Sequence, residues 1–99
     1  MTQARITPEA ASDLADIAFY IARDNPDRAR TFIGDIVAHC HRIAKQSGIG
    51  RARPEFGAGI RSVPHGHYVI FYHHIETGTE ILHVTDGARD VGRLFPRSG

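Results

Sequence analysis

Hydrophobic positions recur with helical spacing through the first half of the chain and with strand spacing through the second. Between residues 6 and 46 the apolar side chains return every three or four positions, as on one face of an amphipathic helix. Between residues 60 and 86, runs of Val, Ile, Phe and Tyr are separated by turn residues, which is typical of strands. The sequence therefore predicts helices followed by a sheet.

Two helix starts are each marked by a capping residue followed by proline. Thr7 precedes Pro8, and Asn25 precedes Pro26. In each pair the first side chain can accept a backbone N–H, and the proline occupies the first helical position. The link between the helices is so short that they should form an antiparallel hairpin. The second helix is expected to end near Gly48.

Four strands are predicted, at residues 3–6, 60–63, 67–75 and 80–85. Residues 47–59 read as an irregular stretch, and residues 90–95 as either a helical turn or another strand. The predicted fold class is α+β, with an N-terminal strand and an antiparallel helix hairpin packed on a small, mainly antiparallel sheet. The length of 99 residues predicts a single domain over 1–99.

The turn between the last two strands sets which side chains share a face. A two-residue turn at Gly78-Thr79 places Ile75 opposite Leu82, and this register gathers the apolar residues on one face. The face predicted to lie under the helices comprises Ile60, Ser62, Val69, Phe71, Ile75, Leu82 and Val84. The opposite face comprises Arg61, Tyr68, Ile70, Tyr72, His74, His83 and Thr85.

The second face combines a permanent cation, Arg61, with two histidines, His74 and His83, that this register places opposite each other. Such a set could bind a phosphodiester or move a proton on RNA. We favour a simpler interpretation, a polar sheet face partly covered by a partner peptide. Both interpretations require Arg61 to lie on the side away from the helices.

The composition of the chain argues against several classes of protein and of binding site. Twelve Lys and Arg against eleven Asp and Glu give a net charge of +1, which does not favour nucleic acid or anionic lipid as a partner. One cysteine excludes an internal disulfide, and Cys40 falls on an apolar helix stripe, where it reads as a core residue. The histidine spacing predicts no metal site, and we expect no cofactor. No apolar run is long enough to span a membrane, so the cytoplasm is the expected location.

The order of these segments resembles the ParE/RelE toxin superfamily of bacterial toxin–antitoxin systems. The resemblance rests on IRSVP at residues 60–64, GHYVIFY at 66–72, EILHV at 80–84 and GARD at 87–90. The helical part adds PEA at 8–10, DL at 13–14 and IAFYI at 17–21. The resemblance spans nearly the whole chain, and it implies the same α+β fold.

Within the superfamily, the strand at 68–72 and the GARD ending look more like ParE, which implies inhibition of DNA gyrase without hydrolysis by the toxin. The alternative is a RelE-like, ribosome-dependent mRNA endoribonuclease, whose partners would be the ribosome and mRNA. Under that alternative Arg61 and Arg89 match basic positions of the family, and His74 or His83 would move the proton. Phe95 departs from the RelE pattern, because a phenyl ring cannot exchange a proton.

The resemblance also implies a cognate ParD-like antitoxin. One small sheet cannot cover the apolar residues of both helices, so some remain for an amphipathic antitoxin segment. Acidic residues of the antitoxin would add charge-assisted contacts to the arginines. The antitoxin-binding candidates are Ile17, Phe19, Tyr20, Phe32, Arg61 and Arg89. That the aromatic residues only complete the local core stays open as well.

Overall fold

The computed structural model of the chain describes residues 4–87 and residue 95. The helices and strands are β1 (Ala4–Ile6), α1 (Pro8–Ala22), α2 (Pro26–Lys45), β2 (Arg51–Ala52), β3 (Arg61–His65), β4 (Tyr68–Ile75) and β5 (Gly78–Asp86). Two single-turn 3₁₀ helices, Ser47–Ile49 and Pro54–Phe56, flank β2. Of the stretch predicted at residues 90–95, all but Phe95 lies outside the described residues.

Both predicted helix starts are confirmed. The Thr7 hydroxyl accepts the N–H of Ala10 at 3.1 Å, and the side-chain Oδ1 of Asn25 accepts the N–H of Arg28 at 3.0 Å. The Thr7 hydroxyl also donates to the Ile81 carbonyl at 2.8 Å, which ties the start of α1 to β5. The second helix ends at Lys45, before the predicted stop at Gly48.

The strands form one five-stranded sheet in the order β1-β5-β4-β3-β2. The parallel pairing of β1 with β5 makes the sheet mixed, whereas the other neighbours are antiparallel as predicted. The sequence pattern misses β2 because two residues, Arg51 and Ala52, are too few to show a strand period. The two helices and this sheet confirm the predicted α+β class.

The β4–β5 hairpin turns two residues earlier than predicted. Ile75 pairs with Gly78, so residues 76–77 form the turn, and Gly78 begins β5 with a φ of 151°. Glycine adopts that φ easily, whereas residues with a Cβ rarely do. The predicted pairing of Ile75 with Leu82 is therefore wrong.

A β-bulge then changes the alternation along β5. Phe71 pairs with His83 while Tyr72 pairs with Ile81, which leaves Leu82 as an extra residue. An extra residue on one strand shifts every side chain beyond it to the other side, relative to the neighbouring strand. The part of β5 that follows the bulge therefore keeps its predicted sides, with Val84 toward the helices, but shares each side with the other set of β4 residues, so that Val84 lies beside Ile70 and His83 beside Phe71.

The helices cover the side of the sheet that carries Ile70, Tyr72 and Val84. All three side chains are at most 1% exposed. The predicted faces are therefore reversed for β3 and β4, whereas Val84 lies under the helices as predicted. The tyrosine belongs to the core because its hydroxyl accepts the N–H of Gly50 at 2.9 Å, which satisfies the polar end of the ring. The core cluster consists of Ala10, Leu14, Ile17, Ile36, Cys40, Ile43, Ile70, Tyr72, Ile81 and Val84.

An aromatic cluster covers Phe71 on the side of the sheet away from the helices. The Phe71 ring lies 5.6 Å from the ring of Phe56 and 5.3 Å from that of Phe95, between centroids. The Arg53 guanidinium lies 4.9 Å above the Phe56 ring and donates to the Ser62 hydroxyl at 3.2 Å. These side chains occupy the place that the sequence predicted for the helices on this face.

Candidate partner-binding surface

The predicted antitoxin-binding residues of the two helices fall into different environments. Phe19 is 74% exposed and Tyr20 is 62% exposed, which is unusual for large aromatic side chains. Ile17 is buried in the core. Phe32 is half-buried, with its ring 5.3 Å from that of Tyr68 and 5.5 Å from that of His65. Two aromatic candidates are thus available to a partner.

Phe19 borders an apolar depression between the two helices, which we call the helix groove. It has a volume of about 580 Å³. The groove is deep because small side chains line it, Ala15, Ala18 and Ala22 from α1 and Ala29 from α2. The groove is lined by Ala15, Ala18, Phe19, Ala22, Pro26, Ala29, Arg30 and Ile33.

Tyr20 borders a second depression, on the side of α1 that faces the sheet, which we call the tyrosine groove. It has two compartments, of about 180 Å³ and about 500 Å³, and both are lined by Tyr20, Tyr68 and Asp86. The smaller compartment is also lined by Asp13, Asp16, Ile17, Val84 and Thr85, and the larger by Ile21, Asp24, Asn25, Arg28, Phe32, Gly66 and His67.

The two tyrosines and the carboxylate of the tyrosine groove interact electrostatically. Partial burial raises the pKa of the Tyr68 hydroxyl, and the nearby Asp86 and Tyr20 raise it further. The hydroxyl therefore stays protonated at neutral pH and can donate a hydrogen bond. Sequence patterns do not reveal this groove, because its residues come from both helices, from β4 and β5, and from the turns between elements.

Arg61 lies on the helix side of the sheet, contrary to the prediction. It pairs with Tyr72 across β3 and β4 and donates to the Gly50 carbonyl at 2.6 Å and the Gly48 carbonyl at 3.4 Å. The guanidinium therefore holds the segment that follows α2 against the sheet. The argument from an uncovered, arginine-bearing sheet face fails for this chain. Arg89 lies outside the described residues.

His74 and His83 do not face each other, so the predicted cross-strand pair is wrong. His74 is exposed and pairs with Thr79, whereas His83 pairs with Phe71, three positions away along β4. Three positions correspond to about 10 Å along a strand and put the two imidazoles on opposite sides of the sheet. The His83 Nδ1 instead lies 2.8 Å from a carboxylate oxygen of Asp13. The earlier turn and the bulge together cause this separation.

A different histidine pair, which the sequence spacing does not suggest, joins α2 to the sheet. The Nδ1 atoms of His39 and His65 are 2.8 Å apart, so the N–H of one ring donates a hydrogen bond to the nitrogen of the other. The pKa of His39 is lowered by its partial burial and by the nearby His65 and Arg42. The His39 imidazole is therefore neutral at physiological pH.

We expect the free energy of unfolding to decrease as the pH falls below about 6.5, the usual histidine value. The pKa of His39 is lower in the folded chain than in the unfolded chain, so the unfolded chain binds the proton first as the pH falls. Proton binding stabilises the unfolded state relative to the folded state and lowers the free energy of unfolding. Chemical denaturation at pH 7 and pH 5 measures this loss. His39→Asn should show a smaller loss than the wild type, and the exposed His41→Asn should show the same loss. An unchanged loss in His39→Asn would contradict the assignment.

Cys40 is fully buried in the core, as the sequence predicts, and burial raises its thiol pKa to about 11. A thiol that stays protonated at neutral pH is a poor nucleophile. Among residues 4–87 and 95, no group of three or more His, Cys, Asp or Glu side chains could hold a metal ion. Within the same part of the chain, neither helix is long and apolar enough to cross a membrane.

The comparisons with known proteins agree with this architecture. The chain is similar to a solved structure described as the chromosomal ParDE TA system from P. aeruginosa, with a TM-score of 0.73 at 22% sequence identity. The match covers 87% of this chain and 96% of that one. No curated protein matches the sequence. The sequence model of the family described as "ParE toxin of type II toxin-antitoxin system, parDE" matches residues 4–91. The chain therefore belongs to the ParE toxin family of type II toxin–antitoxin systems.

Proposed function

We propose that this chain is a toxin that inhibits DNA gyrase and that a cognate ParD-like antitoxin neutralises it. Membership of the ParE family supports the first part. The ParDE description of a structure with the same fold supports an antitoxin as the partner. The observation that carries the proposal is the combination of this family match with two grooves that flank α1 and expose Phe19 and Tyr20.

The separation of the candidate catalytic residues favours gyrase inhibition over RNA cleavage. Proton transfer on RNA needs its acid, base and cation within hydrogen-bond reach of one phosphodiester. Arg61 is bonded to two backbone carbonyls, and His83 is bonded to Asp13. His74 lies on the other side of the sheet from His83. These three side chains do not converge on one site.

The gyrase assignment is tested with purified chain and purified gyrase. We expect the chain to block supercoiling of relaxed plasmid at stoichiometric excess. His74→Ala should inhibit equally well, because this exposed imidazole has no role in the proposal. Full supercoiling at excess toxin, combined with growth arrest in cells, would contradict the gyrase target. Toxin-dependent cuts in translated mRNA, mapped by primer extension, would then establish the ribonuclease alternative.

The antitoxin is proposed to place an amphipathic helix in the helix groove, with Phe19 as a central contact. The groove is apolar and open, and partner helices commonly enter such grooves with apolar residues spaced three or four apart. Buried aromatic residues dominate the binding energy of such interfaces.

Phe19→Glu should weaken binding of the cognate antitoxin by about tenfold or more, because a charge would be buried in an apolar contact. Surface plasmon resonance with the immobilised antitoxin measures the change. Ile49→Glu is the matched control, since Ile49 is 58% exposed and lies outside both grooves. Equal weakening by both substitutions would contradict docking in the helix groove.

A further inference from the structure

The tyrosine groove differs from the rest of the surface in charge. Its lining includes four aspartates and one arginine, Asp13, Asp16, Asp24 and Asp86 against Arg28, although the whole chain carries a net charge of +1. Asp13 is committed to His83 and to the Val84 N–H. Asp16, Asp24 and Asp86 are exposed along the groove.

Two tyrosines, one packed and one exposed, form the aromatic walls of the groove. Tyr20 projects from α1 and Tyr68 from β4, and both line both compartments. Tyr68 is held in place by the ring of Phe32, at 5.3 Å between centroids, whereas Tyr20 is 62% exposed and can adjust to a ligand. A fixed aromatic ring and an adjustable one in the same groove suit a flat group that stacks on an aromatic face.

From the combination of aromatic walls and carboxylates we infer that this groove takes an arginine side chain of the antitoxin. A guanidinium is planar and stacks on aromatic faces, and it also forms paired hydrogen bonds with a carboxylate. Asp86 is the carboxylate that both compartments share, and its interaction with Tyr68 places it beside the aromatic wall. An acidic side chain would meet like charges there. The larger compartment, of about 500 Å³, leaves room for the aliphatic part of the arginine.

This inference depends on the proposed antitoxin for the source of the arginine, and it reverses the charge expected at the contact. The sequence predicts antitoxin acids that bind toxin arginines. Arg61, however, is occupied by the Gly48 and Gly50 carbonyls. The groove next to the exposed aromatic residues is acidic, so the antitoxin segment that enters it should be basic.

The test uses this chain and a blocked pentapeptide in which alanines flank one arginine. Ring signals of the tyrosines are followed by NMR during titration with the peptide. We expect saturable shifts at Tyr20 and Tyr68 and none at Tyr72, which is fully buried. A second peptide replaces the arginine by citrulline, which has the same shape but no charge. It should bind more weakly, by a factor of about five or more. Absence of shifts at millimolar peptide, or equal binding of the citrulline peptide, would overturn the inference.

Two variants and one control locate the site. Asp86→Asn and Tyr20→Ala should each weaken the arginine peptide by about threefold or more. Asp35→Asn, which changes an exposed carboxylate outside both grooves, should leave binding unchanged. Equal effects of Asp35→Asn and Asp86→Asn would show general charge attraction and overturn the site. Because neither gyrase nor the antitoxin is present, the result is independent of the supercoiling and growth assays.

Discussion

Replacing Gly50 by alanine is expected to lower the free energy of unfolding by about 2–4 kcal/mol, as overpacking against a core ring adds to a lost hydrogen bond. A Cβ at this position would lie 2.9 Å from two ring carbons of Tyr72 and closer still to its hydroxyl oxygen. The ring cannot move aside, because Tyr72 is fully buried between the helices and the sheet. The Gly50 N–H would also lose its 2.9 Å bond to the hydroxyl.

Thermal unfolding of the two glycine variants measures this effect. Gly50→Ala should lower Tm by roughly 10–20 °C, given the usual unfolding entropy of a domain of this size. Gly48→Ala is the matched control, since nothing lies within 4 Å of a Cβ there and its carbonyl remains available to Arg61. We expect Gly48→Ala to change stability by less than about 0.5 kcal/mol. Similar Tm values for both variants would contradict the close approach of Gly50 to Tyr72.

The helical half of the fold is predictable because its signals are local. Thr7 and Asn25 act within three residues of their own positions, and each cap bond appears where the sequence places it. The apolar stripes depend on a helical repeat that no distant residue changes. Only the end of α2 is misplaced, by a few residues, because Gly48 does not serve as the C-cap.

The sheet half is less predictable because its faces depend on register. An early turn at residues 76–77 decides which residues of β4 and β5 lie opposite each other, and one extra residue at Leu82 puts Val84 on the side of Ile70 rather than Phe71. Neither feature leaves a clear mark in the hydrophobic pattern. The pattern also treats Tyr72 as polar, although one hydrogen bond makes it a core residue. These local features reverse the predicted faces of β3 and β4 and separate His74 from His83.

Some residues of the candidate site could likewise be predicted from the sequence, and others could not. The exposure of Phe19 and Tyr20 follows from a sheet too small to cover both helices, so the sequence could suggest them. The contribution of Tyr68 and Asp86 could not be foreseen, because it requires knowing that the ends of β4 and β5 lie beside α1. The residue type of Arg61 suggested a role in binding a partner. Its hydrogen bond to the Gly50 carbonyl instead gives it a structural role.

Asp13→Ala is the second substitution with a large expected effect, a loss of about 2–3 kcal/mol, because it removes charge-assisted hydrogen bonds at a half-buried site. The register with β1 ends at Ile81, so the outer edge of β5 has no strand partner beyond that residue among residues 4–87 and 95. One Asp13 carboxylate oxygen accepts the Val84 N–H at 3.0 Å and lies 2.8 Å from the His83 Nδ1. The substitution would leave both groups without this acceptor.

Urea unfolding of Asp13→Ala and Asp16→Ala measures how much the hydrogen bonds between Asp13 and the edge of β5 contribute to the free energy of unfolding. Asp16 lies one turn further along α1 and is exposed, so both substitutions gain the same helix propensity but only Asp13→Ala removes the contact with β5. We expect Asp16→Ala to stay within about 0.5 kcal/mol of the wild type. Asp13→Asn should recover part of the loss, because an amide oxygen can still accept the Val84 N–H. If Asp13→Ala and Asp16→Ala unfold at the same urea concentration, the carboxylate does not hold α1 against the edge of the sheet, and the smaller compartment of the tyrosine groove loses the contact that fixes its wall.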